Sequence, residues 1–176
     1  PYYIFEADFD ALAFLRMRDI AQQQINVVAL PGINLKNDWV KYFKGKKTIW
    51  AFDYDSLKGK EPNQFYPGEQ GVEKIHEKMD GCTANFKWVD WDQGEFTRPF
   101  DIRDLSTSII AQGGDKVGQA EAFFERLSPL VQNFSSSPEE SDEEEVLPAI
   151  PITNFEDLVK EFDKHIQSVY VVPVLQ

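Results

Sequence analysis

Two aspartates one residue apart, Asp53 and Asp55, close the apolar run "TIWAF", and a glutamate, Glu6, closes another, "YYIF". Carboxylates that close repel one another, and each resists losing its water. An acid at the end of an apolar strand is an expensive placement without a partner. A cation held between them would answer both costs. Two residues apart along a strand, Asp53 and Asp55 point to the same side of the pleat. A turn just after Tyr54 would bring both carboxylates to one ion. Glu6 could ligate that ion or serve as general acid or base, its pKa raised by its neighbours.

The elements that must position these acids can be read from the apolar pattern. Tyr2–Glu6, Ile25–Leu30, Lys47–Asp55 and Asn85–Trp91 read as four strands, each a continuous apolar run. Between them, "ADFDALAFLRMRDIAQQQ" has helical spacing at Ala11, Leu12, Leu15 and Ala21, with Asp8 as its cap. "NLKNDWVKYFKG" reads as a helix capped by Asn34 and stopped by Gly45, with Trp39 and Phe43 on one side. A long polar loop, "SLKGKEPNQFYPGEQG", precedes a helix through "VEKIHEKM". A short helix begins near Asp101, Gly113-Gly114 breaks it, and "KVGQAEAFFERLSPLV" forms another. Alternating strands and helices predict an α/β fold with a small parallel sheet covered on both faces. Ligands gather at the carboxyl ends of such strands, where Glu6, Gly32, Asp53 and Asp55 all fall.

Composition narrows the function classes. The 176 residues are 42% hydrophobic and 14% aromatic, which suits a packed domain. A formal charge of −12 argues against autonomous, non-specific DNA binding. One cysteine, Cys82, and two separated histidines, His76 and His165, make neither an intramolecular disulfide nor a zinc site. Both histidines read as surface residues. The Gly-rich phosphate loops and the Gly-x-Ser-x-Gly elbow are absent from the sequence. Ser135–Pro151 is rich in Ser, Pro and acids and reads as a solvated linker. Beyond it come a capped helix, "TNFEDLVKEFDKHI", and an apolar tail. The expected organisation is a catalytic domain at 1–133, a linker at 134–151 and a helix-strand appendage at 152–176. The chain opens on Pro1 without an initiating Met and reads as a processed or excised piece in a reducing, cytoplasmic setting.

Taken in order, "YYIFEADFDALAFL", "NVVALPG", "TIWAFDYD" and "PFDIRDL" resemble the Toprim domain of topoisomerases and bacterial-type primases, in its primase or primase-helicase branch. The resemblance covers roughly the first two-thirds of the chain and implies a Rossmann-like Toprim fold. Glu6 matches the family's strand-ending glutamate, Asp10 the aspartate after it, Gly32 the turn glycine, and Asp53 with Asp55 the Asp-x-Asp pair. Asp101 and Asp104 match a later acidic element. Glu6 and Asp10 are thereby implied as catalytic, Glu6, Asp53 and Asp55 as metal ligands, and Asp101 and Asp104 as second-metal or supporting acids. Asp10 reads equally as a helix-start acid, and so do Asp101 and Asp104. Ala7 stands where glycine is usual, which disfavours a left-handed turn there. Phe100 stands where primase-like members often have lysine, which removes a phosphate contact.

The resemblance implies Mg²⁺, with Mn²⁺ as a substitute, and chemistry on phosphodiester bonds. Mg²⁺ takes oxygen ligands and keeps waters that substrate phosphates can replace. Two such ions would clamp the attacking and leaving oxygens. The expected activity is that of a Mg²⁺-dependent nucleotidyltransferase of primase type in a phage or mobile-element replication protein. A Toprim nuclease and a non-catalytic docking module are the alternatives. Nucleic acid and nucleotides would be gripped through neighbouring domains. The C-terminal layout is similar to the connection that leads into a helicase-type ATPase domain.

Overall fold

The structure is a computed structural model that describes residues 1–134. The linker from Ser135, the appendage at 152–176 and His165 lie outside the described residues.

Among the described residues, five strands form one sheet: β1 (Tyr2–Phe5), β2 (Asn26–Ala29), β3 (Lys47–Trp50), β4 (Asn85–Val89) and β5 (Val131–Asn133), in the order β2-β1-β3-β4-β5. The first four are parallel, and β5 pairs antiparallel with β4. This edge strand departs from the expectation of one helix through Val131. The helix stops at Leu127, and a single 3-10 turn over Ser128–Leu130 redirects the chain into β5. Pro129 within that turn cannot donate to a continuing helix.

Among the described residues, five α-helices accompany the sheet: α1 (Asp8–Ile20), α2 (Asn37–Phe43), α3 (Pro67–Met79), α4 (Ile102–Ala111) and α5 (Lys116–Leu127). Helix α1 starts at Asp8 itself, after an extended Ala7 that makes no side-chain cap. Asp8 therefore lies in the first turn, where its charge suits the helix dipole, and does not cap. Likewise Lys36, and not Asn34, precedes α2, because the chain stays extended through Lys36. Gly45 stops that helix at φ +69, a left-handed conformation that favours glycine. Helix α3 begins five residues before the expected Val72, with Pro67 pre-set for its first turn. Gly113 and Gly114, both at positive φ, end α4.

Successive strand residues face opposite ways, and each face has its own apolar layer. Tyr3, Phe5, Ile49, Ala51 and Val89 pack against α1, α4 and α5 through Phe14, Met17, Leu105, Ile109 and Phe123. Ile4, Trp50 and Phe52 pack against α2 and α3 through Phe43, Val72, Ile75 and Met79. Helix α1 buries Asp10, Ala11, Phe14 and Met17, a stripe rotated from the expected one, and leaves Leu12 exposed. His76 is half-buried, edge-on against Phe86, and is not a free surface residue. Trp91 is buried, with Phe96 and Phe100 edge-on to it, and its indole N–H donates to the carbonyl of Phe52 at 2.7 Å. That bond pins the backbone immediately before Asp53.

Phe14 sits at the centre of the larger layer, 4.6 Å from the Tyr3 ring and 5.2 Å from that of Phe5. Phe14→Ala should cost about 3–5 kcal/mol in denaturant unfolding, because the rings around it cannot all collapse into the space.

Candidate metal centre

The strand order reverses between β1 and β3: β1 leads to β2 on one side, while β3 and β4 build on the other. Such a reversal leaves a crevice beyond the carboxyl ends of the two strands. Glu6 follows β1 directly, and Asp53 follows β3 after Ala51 and Phe52. The amide of Gly32, at φ +98, donates to the Glu6 carbonyl at 2.8 Å, so the end of β2 is tied to the same edge.

Asp10, Asp53 and Asp101 each offer a carboxylate oxygen within 4.8 Å of the others. Glu6 is hydrogen-bonded to Asp53 through their carboxyl groups. Four acids from the starts of α1 and α4 and the ends of β1 and β3 thus share one site. Asp10 is 1% exposed. Arg103 Nε approaches Asp10 Oδ1 at 2.8 Å as an ion pair, yet both Asp10 oxygens and Glu6 Oε2 are buried without a hydrogen bond. Buried carboxylate oxygens normally have partners. An all-oxygen donor set with unsatisfied lone pairs fits a hard divalent cation.

The acids alter one another's ionisation. Burial, then the hydrogen bond that its own protonated carboxyl donates to Glu6, pushes the Asp53 carboxyl up to about 8. Burial, then the charges of Asp53 and Asp101, raises Asp10 to about 6, against the pull of Arg103. Glu6 is also raised, chiefly by burial, although its bond to Asp53 opposes the rise.

The other acids take different positions. Asp55 Oδ2 accepts a 2.8 Å bond from the amide of Gly68, at the start of α3. Asp104 completes a capping box: its Oδ2 accepts from the Asp101 amide at 3.2 Å, while Asp101 Oδ1 accepts from the Asp104 amide at 2.9 Å. Asp101 is therefore both a helix cap and a member of the acidic group. Ala7 has φ −141 and ψ 153, extended values open to any residue, so this turn does not need glycine. Phe100 pairs with Tyr54 through two backbone bonds of 2.8 and 3.1 Å, fastening the segment before α4 to the Asp53–Asp55 segment.

Two arginines flank that position. Arg103 contacts Asp101 and Asp10. Arg98 lies between the rings of Tyr54 and Tyr66, 3.6 Å from each centroid, pairs with Glu69, and donates to the Asp55 carbonyl at 2.9 Å. Both lie in "RPFDIRDL", two residues before and three after Phe100, where a positive residue among acids was the available signal. Gly68 is a further positioning residue: a Cβ there would lie 2.2 Å from the Asp53 carbonyl oxygen. It sits inside the stretch that reads as polar loop, so neither its helical state nor its close approach was visible from composition.

Two outcomes follow from this geometry. The Asp53 carboxyl rises from 3.8 when unfolded to about 8 when folded. The unfolded state therefore ionises first as pH rises, and stability is lost across about pH 4 to 8. With chelator present, the melting temperature should fall over that window, and Asp53→Asn should flatten the fall. Gly68→Ala should force the α3 start away from Asp53 and lower both stability and divalent-cation affinity, measured by melting and by Mn²⁺ titration.

A protein-family model described as Toprim-like matches residues 3–64, which span β1 to the loop before α3. No curated protein and no solved structure matches the chain. Among the described residues, no helix is long and apolar enough to cross a membrane. Over residues 3–64 the chain is thus similar to Toprim-like domains, and the acidic group at its strand ends could hold a metal ion.

Proposed function

We propose that this chain carries the metal-binding catalytic domain of a primase-like or primase-helicase-like replication protein, acting on phosphodiester bonds with Mg²⁺. The observation that carries the reading is the meeting of Glu6, Asp10, Asp53 and Asp101 at the β1/β3 crevice, with buried carboxylate oxygens left unpartnered. Asp10, Asp53 and Asp101 would hold the ion, with Glu6 beside them and Asp55 close enough to raise the Glu6 carboxyl. Mn²⁺ would substitute. A bound Mg²⁺ supplies charge neutralisation at a phosphate and exchangeable water.

The chain's own residues account for the remaining parts. Glu6 shares a hydrogen bond with Asp53. With Asp53 among the residues that would hold the ion, its proton would be given up, and the unpartnered Glu6 oxygen would be a candidate acceptor for a substrate proton. Arg98 and Gly68 fix the segment from Asp53 to Asp55 by clamping it against α3. A net charge of −12 gives nucleic acid little to grip, which is why neighbouring domains, including a C-terminal helicase-type unit, are assigned that task.

Asp53→Asn and Asp10→Asn should each weaken Mn²⁺ binding at least about ten-fold, read by titration, while circular dichroism stays native. The activity itself is tested in the longer native protein by running primer synthesis and nicking assays side by side with Mg²⁺. Primer synthesis lost in Asp53→Asn supports the primase reading. Metal-dependent nicking without synthesis turns it to a nuclease. Full metal-dependent activity in an Asp10/Asp53 double variant rules out this site.

A further inference from the structure

Arg103 holds a position that the metal reading alone does not explain. Its Nε lies 2.8 Å from Asp10 Oδ1 and 3.1 Å from Asp101 Oδ2, and its terminal nitrogen also bonds Asp101. The guanidinium thus bridges two of the three aspartates whose oxygens converge. The environments of the two ends differ sharply. The Asp10 and Asp101 side chains are 2% and 12% exposed, whereas that of Arg103 is 50% exposed. The acids are fixed by their helix starts, and the cation that neutralises them arrives on a long arm from the solvent side.

We propose that Arg103 is an exchangeable internal counter-ion: it neutralises Asp10 and Asp101 in the metal-free domain and is displaced when a divalent cation binds. This rests on the reading of the acidic group as a metal site. The physical reason is competition for the same lone pairs. A guanidinium donates its N–H groups to carboxylate oxygens in a planar fork, and a metal ion needs those oxygens directed at itself. A residual positive charge at that distance also repels the ion. Buried acids without any counter-charge are costly, so a domain that must wait for metal gains from a cation that can leave. Asp10 Oδ2, buried and unpartnered beside the bridge, is the oxygen through which an ion would first engage.

A purely structural arginine would behave differently. It would hold Asp10 and Asp101 in place for the ion, and its loss would weaken binding. The test measures Mn²⁺ affinity by electron paramagnetic resonance in the wild-type protein, Arg103→Gln and Arg103→Lys. It also follows the Arg103 Nε–H resonance by NMR during Mg²⁺ addition. Exchange predicts that Arg103→Gln binds Mn²⁺ roughly ten-fold tighter while melting at a lower temperature in chelator. Arg103→Lys, which keeps the charge but loses the fork, should bind several-fold tighter and carries the test if the glutamine variant does not fold. The Nε–H signal should lose its protection as Mg²⁺ saturates. Unchanged or weaker Mn²⁺ binding in both variants, or a guanidinium signal still protected in the loaded protein, overturns the exchange while leaving the metal site intact. A wild-type protein that binds no Mn²⁺ overturns the metal site and the exchange with it.

Discussion

Carboxylates brought together at a half-dry edge set the terms for the rest of this structure. Glu6, Asp10 and Asp53 cannot all ionise cheaply where they stand, since burial and mutual repulsion both favour their protonated forms. The fold meets that strain in three ways: a proton shared between Glu6 and Asp53, a guanidinium on Asp10 and Asp101, and backbone amides at Asp101 and Asp55. Together they let a strongly electronegative site stay folded on the chain's own contacts.

The supports around the edge are correspondingly rigid. Trp91 bonds the carbonyl before Asp53, Gly68 lets α3 press against the carbonyl of Asp53, and Arg98 is held between two tyrosine rings. None of these residues belongs to the acidic group. All of them restrict where the β3 extension can go. An acid cluster carried on a loose loop would relax outward into water; here the backbone is fastened on several sides, so the charges stay together.

Much of the scaffold was legible in the sequence because strands buried on both faces are continuous apolar runs. The four parallel strands and the α/β class follow from that pattern. Glu6 and Asp53 were visible for a related reason: an acid ending an apolar run stands out. The partners of Asp53 were harder to read. Asp10 and Asp101 lie at helix starts, where acids are ordinary, and only the packing of α1 beside α4 brings these two together at Asp53. Asp55 is as prominent in the sequence as Asp53, yet its Oδ2 is engaged by the α3 amide of Gly68, a partner hidden by the long polar stretch between them. Strand β5 was missed because three residues after a proline turn carry no periodicity of their own. Arg103 was overlooked because a lone arginine in an amphipathic helix is unremarkable until its side-chain direction is known.

The reversed direction of β5 also fixes where the backbone exits. Val131 lies beside Val89, near the carboxyl end of the neighbouring strand, and Asn133 beside Lys87, so the polypeptide travels away from the acids before it leaves the sheet. A continuing chain is launched from the opposite rim at Phe134. The mouth of the crevice is therefore not where the described residues end.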